Sequence, residues 1–253
     1  MSRRETGTDQ TGKALDSRRA TAAVAAEAPA YVANEIQRVC LQLRLTHPDT
    51  HCLVVTAPRG REGASTVASL CAAALAEIAG GTVLLVDANL HAPTLHRHYG
   101  LNGAKGLRNW DPERPAEGIH PAAHDRLSVM PAGTGTDKSL HAMYRSGRLA
   151  ALATRLRADF AFVVWDTPPI NVFPDARFLL PHADGVLVVA EADITPLADL
   201  ATLCEQVGPS GCPLVGVILN RTGRFIGGAR AQRHTRAAAR NGLFAPPDDA
   251  SWE

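Results

Sequence analysis

A chain of 253 residues is long enough for one α/β domain of about 200 residues with tails, and 45% hydrophobic content can fill its core. With 26 basic and 25 acidic side chains the formal net charge is +1, so global charge points to neither a nucleic-acid nor a membrane partner. The five cysteines form no Cys-x-x-Cys pair, no apolar run approaches the roughly 18 residues of a spanning helix, and Met1-Ser2-Arg3-Arg4 leads into polar sequence; together these predict a soluble protein of a reducing cytoplasm.

Residues 1–30 mix charged residues with Ser, Thr, Gly and Ala and read as a disordered arm. From 33 to 45 the apolar positions Ile36, Val39, Cys40 and Leu43 recur at helical spacing, and Pro48-Asp49 ends the segment. Five short apolar runs follow at 52–56, 82–87, 160–166, 185–190 and 213–220. They do not alternate polar with apolar, the mark of strands covered on both faces. A shorter run at 127–130 adds one more strand. Helical patterns lie between them, at 64–79, with Val67, Leu70, Cys71, Ala74 and Ile78 on one stripe, and at 140–158. Strand alternating with helix predicts an α/β fold, a parallel β-sheet flanked by helices, over residues 31–224. Residues 225–253 form a basic, flexible tail in this reading, with Arg230, Arg233, Arg236 and Arg240 on one helical face but little apolar area opposite for insertion into a membrane.

Directly after the first strand stands Thr56-Ala57-Pro58-Arg59-Gly60-Arg61-Glu62-Gly63-Ala64-Ser65-Thr66, and a helix starts at once. Strand, glycine-bearing loop and helix make the P-loop arrangement, whose backbone N–H groups receive phosphate oxygens. Such loops end in Gly-Lys-Ser/Thr. Here Ala64 takes the lysine's place, while Ser65 keeps a hydroxyl for Mg²⁺. The second strand ends in Asp87, and another gives Asp166-Thr167-Pro168-Pro169, an aspartate placed to hold a magnesium-bound water opposite the loop. The histidines His91, His96 and His98 have no cysteine or carboxylate set at ligand spacing and read as surface or packing residues.

These segments, in this order over about residues 31–221, resemble the ATP-binding domain of the bacterial tyrosine autokinases that govern capsule and exopolysaccharide synthesis. That family carries T-S-A-x-P-G-E-G-K-S-T, then L-L-I-D-A-D-L-R-R-P-x-L-H, then I-I-D-T-P-P, then G-V-x-L-N-R. Pro131-Ala132-Gly133 and Ala183-Asp184-Gly185-Val186 are also similar to family segments. The resemblance implies a P-loop NTPase fold of the branch that includes partition and septum-positioning ATPases. It places ATP or ADP against Gly60, Arg61, Glu62, Gly63, Ala64, Ser65 and Thr66, with Asn220 and Arg221 at the adenine. It makes Ser65, Asp87 and Asp166 the magnesium residues, with Asp87 and Asp166 as catalytic candidates.

The departures gather at the phosphate end: Ala64 for lysine, Arg61 for a loop glycine, Asn89 for the second aspartate, and His91 and Ala92 for an arginine pair. A ring-forming helix motif of the family is half kept, with Glu35 and Arg38 present and Leu41 in place of an arginine. The tyrosines are Tyr31, Tyr99 and Tyr144, none in a C-terminal cluster. The resulting expectation is a pseudokinase with weak or absent nucleotide turnover, acting with a transmembrane chain-length regulator or export component at the inner face of the membrane, with a homo-oligomer or dimer as a further implied partner and no nucleic acid. Two other readings stay open: an active ATPase or tyrosine kinase in which Arg59 or Arg61 supplies the lost charge, and a partition or cell-division positioning ATPase.

Overall fold

The structure, a computed structural model, describes residues 28–136 and 139–222. The arm expected at 1–30 and the tail expected at 225–253 fall wholly or mostly outside the described residues. Within them the chain runs α1 (Ala30–Thr46), β1 (Cys52–Thr56), α2 (Ala64–Ile78), β2 (Val83–Asp87), α3 (Leu95–His98), β3 (His120–Pro121), β4 (Leu127–Met130), α4 (His141–Arg145), α5 (Arg148–Asp159), β5 (Phe162–Asp166), α6 (Asp175–Leu179), β6 (Gly185–Glu191), α7 (Leu197–Val207) and β7 (Leu214–Asn220).

The strands form one seven-stranded sheet in the order β3-β4-β2-β5-β1-β6-β7, parallel throughout except for the two-residue β3, which runs antiparallel to β4. Alternate side chains of each central strand feed separate cores. Leu53, Val55, Leu85 and Val164 pack under α1 and α2, whereas Val54, Leu84 and Trp165 pack under α5, α6 and α7. Both faces are therefore dry, and β1, β2 and β5 are apolar along their length because no position faces water.

Three expectations need correction. The helix read at 140–158 is two, α4 and α5, because Gly147 adopts the left-handed conformation with φ 72° and turns the chain between them. The strand at 213–220 is not covered on both faces: Leu214, Val217 and Leu219 are 40%, 51% and 52% exposed, since β7 is the edge of the sheet and only Val215 and Ile218 reach the core. The first helix begins at Ala30, three residues before the segment read at 33–45.

Candidate functional site

Parallel strands deliver the loops after β1, β2 and β5 to one edge of the sheet, where ligands of open α/β sheets bind. The register fixes their relative height. Val55 pairs with Asp166 across β1 and β5, and Asp87 pairs with Asp166 across β2 and β5. The first loop therefore rises beside two acidic strand ends.

That loop, from Ala57 to Gly63, is shaped by left-handed residues: Gly60, Arg61 and Gly63 have φ of 101°, 72° and 93°. Such turns orient successive N–H groups into a concavity for an anion. The N–H groups of Gly60 through Thr66 find no acceptor among the described residues, and α2, starting at Ala64, has no side-chain cap. The cradle is thus open to phosphate oxygens, with the positive end of a 15-residue helix behind it. Gly60 is needed for space as well as for its φ, because a Cβ there would meet the Pro169 ring at 3.3 Å.

One of the loop's two arginines is engaged elsewhere. Arg59 is ion-paired with Asp199 of α7, its Nη2 donating to Asp199 Oδ1 at 3.2 Å, and Arg61 is exposed. At Ala64 there is only a methyl group. Glu62, by contrast, is folded inward and 3% exposed. Its Oε1 accepts the Arg59 N–H at 2.8 Å, and its Oε2 is buried without a partner.

The two aspartates differ sharply. Asp87 accepts N–H groups from Asn89 at 3.2 Å on one oxygen and from Thr94 and Leu95 at 3.1 and 3.0 Å on the other. Its carboxylate pins the loop after β2. Burial outweighs those bonds and pushes its pKa up to about 6. Asp166 is fully buried with both oxygens unpartnered. Burial, and next the Asp87 charge, hold its pKa well above the usual carboxylate range; the nearby Ser65 hydroxyl pulls the other way without completing a hydrogen bond. Orphaned buried oxygens beside a serine hydroxyl fit a cation such as Mg²⁺.

The Asn220 amide, at the end of β7, donates to the Glu62 carbonyl at 2.8 Å and occupies the space that a side chain on Gly63 would need. Arg221 pairs with Glu191 at 2.7 Å. Asn220 therefore touches the loop, whereas the Arg221 side chain is bound to Glu191.

Several contacts of the site carry no signal in the linear sequence. Asp175 is buried and accepts the Leu140 N–H at 2.6 Å on one oxygen while its other lies 3.0 Å from His91 Nε2. His91 also stacks on Phe173, ring centroids 3.7 Å apart. Arg108 donates to the carbonyls of Leu90 and Gly133, tying the loops after β2 and β4. The buried Tyr99 phenol is pushed up to about 12, chiefly by burial, with the Asp166 charge adding to it. Only the fold brings these groups to the strand ends.

No family model matches the chain. Among curated proteins it is 26% identical over 187 residues to the tyrosine-protein kinase CpsD of Streptococcus agalactiae, covering 73% of this chain and 81% of that protein. It is 29% identical over 207 residues to the succinoglycan biosynthesis transport protein ExoP of Rhizobium meliloti, covering 75% of this chain but only 25% of that longer protein. Among solved structures, the kinase domain of the Escherichia coli tyrosine kinase ETK superposes with a TM-score of 0.68 at 18% identity, covering 80% of this chain and 82% of that one. The septum site-determining protein MinD of Pyrococcus horikoshii, complexed with Mg-ADP, gives 0.58 at 22%, covering 69% and 72%. The chain is a homologue of the bacterial tyrosine-protein kinases, built on the P-loop NTPase-like fold of their kinase domains.

Proposed function

We propose that this chain is a kinase-like regulatory module of exopolysaccharide synthesis, a pseudokinase that holds nucleotide weakly and turns over little or none. The observation that carries the proposal is the Ala64 methyl group in a cradle whose N–H groups are all still free. A charge aimed at the transferring phosphoryl group contributes several kcal/mol to the transition state, on the order of a hundredfold or more in rate. Here the loop keeps its phosphate-binding backbone and has lost that charge.

When nucleotide binds, Gly60 to Thr66 receive its phosphates, and Ser65 and Asp166 hold Mg²⁺, which would neutralise phosphate charge. Asp87 keeps the neighbouring loop in shape. Residues 31–224 act as one unit at the cytoplasmic face of the membrane through a transmembrane chain-length regulator or export component; no helix among the described residues is long and apolar enough to cross a membrane. The exposed Glu35–Arg38 pair on α1, 3.3 Å apart, offers a surface for self-association.

A second reading, a working ATPase or kinase, draws on Arg61, an exposed arginine at a left-handed position of the loop itself. The test is phosphate release and tyrosine phosphorylation from ATP with Mg²⁺, with Asp166→Ala as background. Turnover well above that background would overturn the pseudokinase in favour of the arginine-assisted enzyme. A partition-type ATPase, the third reading, would instead show hydrolysis stimulated by a DNA or membrane surface.

A further inference from the structure

The helical layer on one side of the sheet stops a strand short. Parallel pairing sets Leu214, Val217 and Leu219 of β7 beside Val186, Val188 and Ala190 of β6, and residues paired in this way point to the same face of a sheet. On β6 that face is buried with Leu203 and Val207 of α7, whereas the three side chains on β7 remain exposed. Leu197, the first residue of α7, is 83% exposed as well. Since β7 has no outer neighbour in the sheet, an apolar face and a row of backbone groups lie open together.

This corner also carries charge of one sign. No lysine or arginine occurs between Arg177 and Arg221, a stretch that holds Asp184, Glu191, Asp193, Asp199 and Glu205. Arg157, Arg221 and Arg59 answer Asp184, Glu191 and Asp199. Asp193, in the turn whose Ala192 N–H donates to the Asn220 carbonyl, and Glu205 on α7 are exposed and have no ion pair among the described residues. The chain that continues from β7 has the opposite character. Residues 223–247 include Arg224, Arg230, Arg233, Arg236 and Arg240 and no acid, and their large apolar side chains stand in two pairs, Phe225-Ile226 and Leu243-Phe244.

We propose that residues 223–247 close back over this face, setting their apolar pairs against Leu214, Val217 and Leu219 and their arginines toward Asp193 and Glu205. Charge and apolar content both match, and covalent connection selects this occupant over a second copy. The segment starts three residues beyond Asn220, the end of β7, and so short a tether holds it at an effective concentration on the order of millimolar. Once closed, it buttresses the strand whose last residue touches the phosphate loop.

The experiment is limited trypsin digestion of the full chain, followed by mass spectrometry as the rate of cleavage after Arg233 and Arg236, against a synthetic peptide of residues 223–253. Cleavage in the protein should be at least about tenfold slower than in the peptide and independent of protein concentration, because a docked segment is cut only in its open fraction. Raising salt to about 0.5 M should speed cleavage in the protein more than in the peptide, as screening weakens the charge attraction; an equal response overturns the choice of this segment. Val217→Asp with Leu219→Asp, and separately Phe225→Ser with Phe244→Ser, should each bring the rate to within about threefold of the peptide. The second pair leaves the described fold untouched, so a folding defect in the first does not remove the test. Peptide-like cleavage of wild type overturns the proposal, as does protection that the Phe225→Ser, Phe244→Ser variant retains. Protection that grows with protein concentration gives the face to a second copy, and protection seen only with vesicles containing anionic lipid gives the segment to a membrane; either result overturns the proposal.

Discussion

Asp87 and Asp166 stand directly opposite one another on adjacent parallel strands, one carboxylate saturated by three backbone N–H groups and the other with no partner at all. Two acids at the same height in one sheet therefore have different employment. Asp87 has its lone pairs committed to the chain that follows it; Asp166 has its own available to whatever enters.

The pair should make the protein less stable as pH rises. Burial lifts Asp87 from 3.8 to about 6 and Asp166 well above its ordinary range. Below the unfolded value both states hold the protons, and the stability is fullest; between there and the folded value the unfolded chain ionises first, so the folded state loses ground. For Asp87 alone the two-unit span is worth about 3 kcal/mol. Asp166→Asn removes an uncompensated buried acid, so the variant should gain stability over wild type at pH 8 and little at pH 4. Urea denaturation of both proteins at the two pH values checks this; a variant less stable than wild type at pH 8 would refute it.

Ala64→Lys should strengthen Mg-ATP binding by about 1 to 3 kcal/mol, the range of a charge-assisted hydrogen bond, or roughly tenfold to a hundredfold in affinity. Gly63, Ser65, Thr66 and Asp166 retain the rest of the cradle. Activity need not return with it, since Asn89, His91 and Ala92 depart from the family at the reacting end. A folded variant that binds no tighter would show that the loop does not receive phosphate.

The Arg59–Asp199 pair decides whether arginine can deputise for lysine. The Arg59 side chain is 61% exposed, and pairs of that kind contribute at most about 1 kcal/mol, so Asp199→Asn should leave the denaturation midpoint nearly unchanged. It should also leave ATP affinity within about threefold of wild type, because freeing the side chain does not place it on the first turn of α2. A tenfold gain in ATP affinity would favour the active enzyme.

Gly63→Ala should abolish nucleotide binding and cost stability. The position holds φ 93° and faces the Asn220 amide, so the added methyl strains the backbone by about 1 to 3 kcal/mol and presses on the contact that seats the loop. Adding Asn220→Ala should recover only part of the loss, since it relieves the crowding and not the dihedral. Full recovery would mean that space alone made the glycine necessary. Thermal melts and ADP titration of the single and double variants separate the cases.

Much of this arrangement is legible in the chain itself. The dry central strands announce themselves because β1, β2 and β5 have no wet face, and the loop does so because Gly60, Gly63 and Ser65 sit at fixed offsets before a helix. The edge strand β7 misleads for the same reason, since its apolar residues look alike in sequence whether or not a helix lies over them. The break at Gly147 is hidden inside a helical period. Whether Arg59 faces the loop or α7 depends on Asp199, 140 residues away, and the employment of Asp87 depends on how the backbone curls after it. Long-range partners of single side chains leave no period to read.

Asp175 fastens chain from three crossovers at once, holding Leu140 before α4, His91 after β2, and its own segment after β5. Changes at these places are therefore not independent: a substitution at 91 that cannot satisfy a buried carboxylate must be answered at 175, and one at 175 loosens the start of α4 as well. The mouth of the site can change in sequence only by coordinated steps, and the phosphate loop joins the same knot, since the Ile170 N–H of the segment after β5 donates to the Ala57 carbonyl at 3.0 Å.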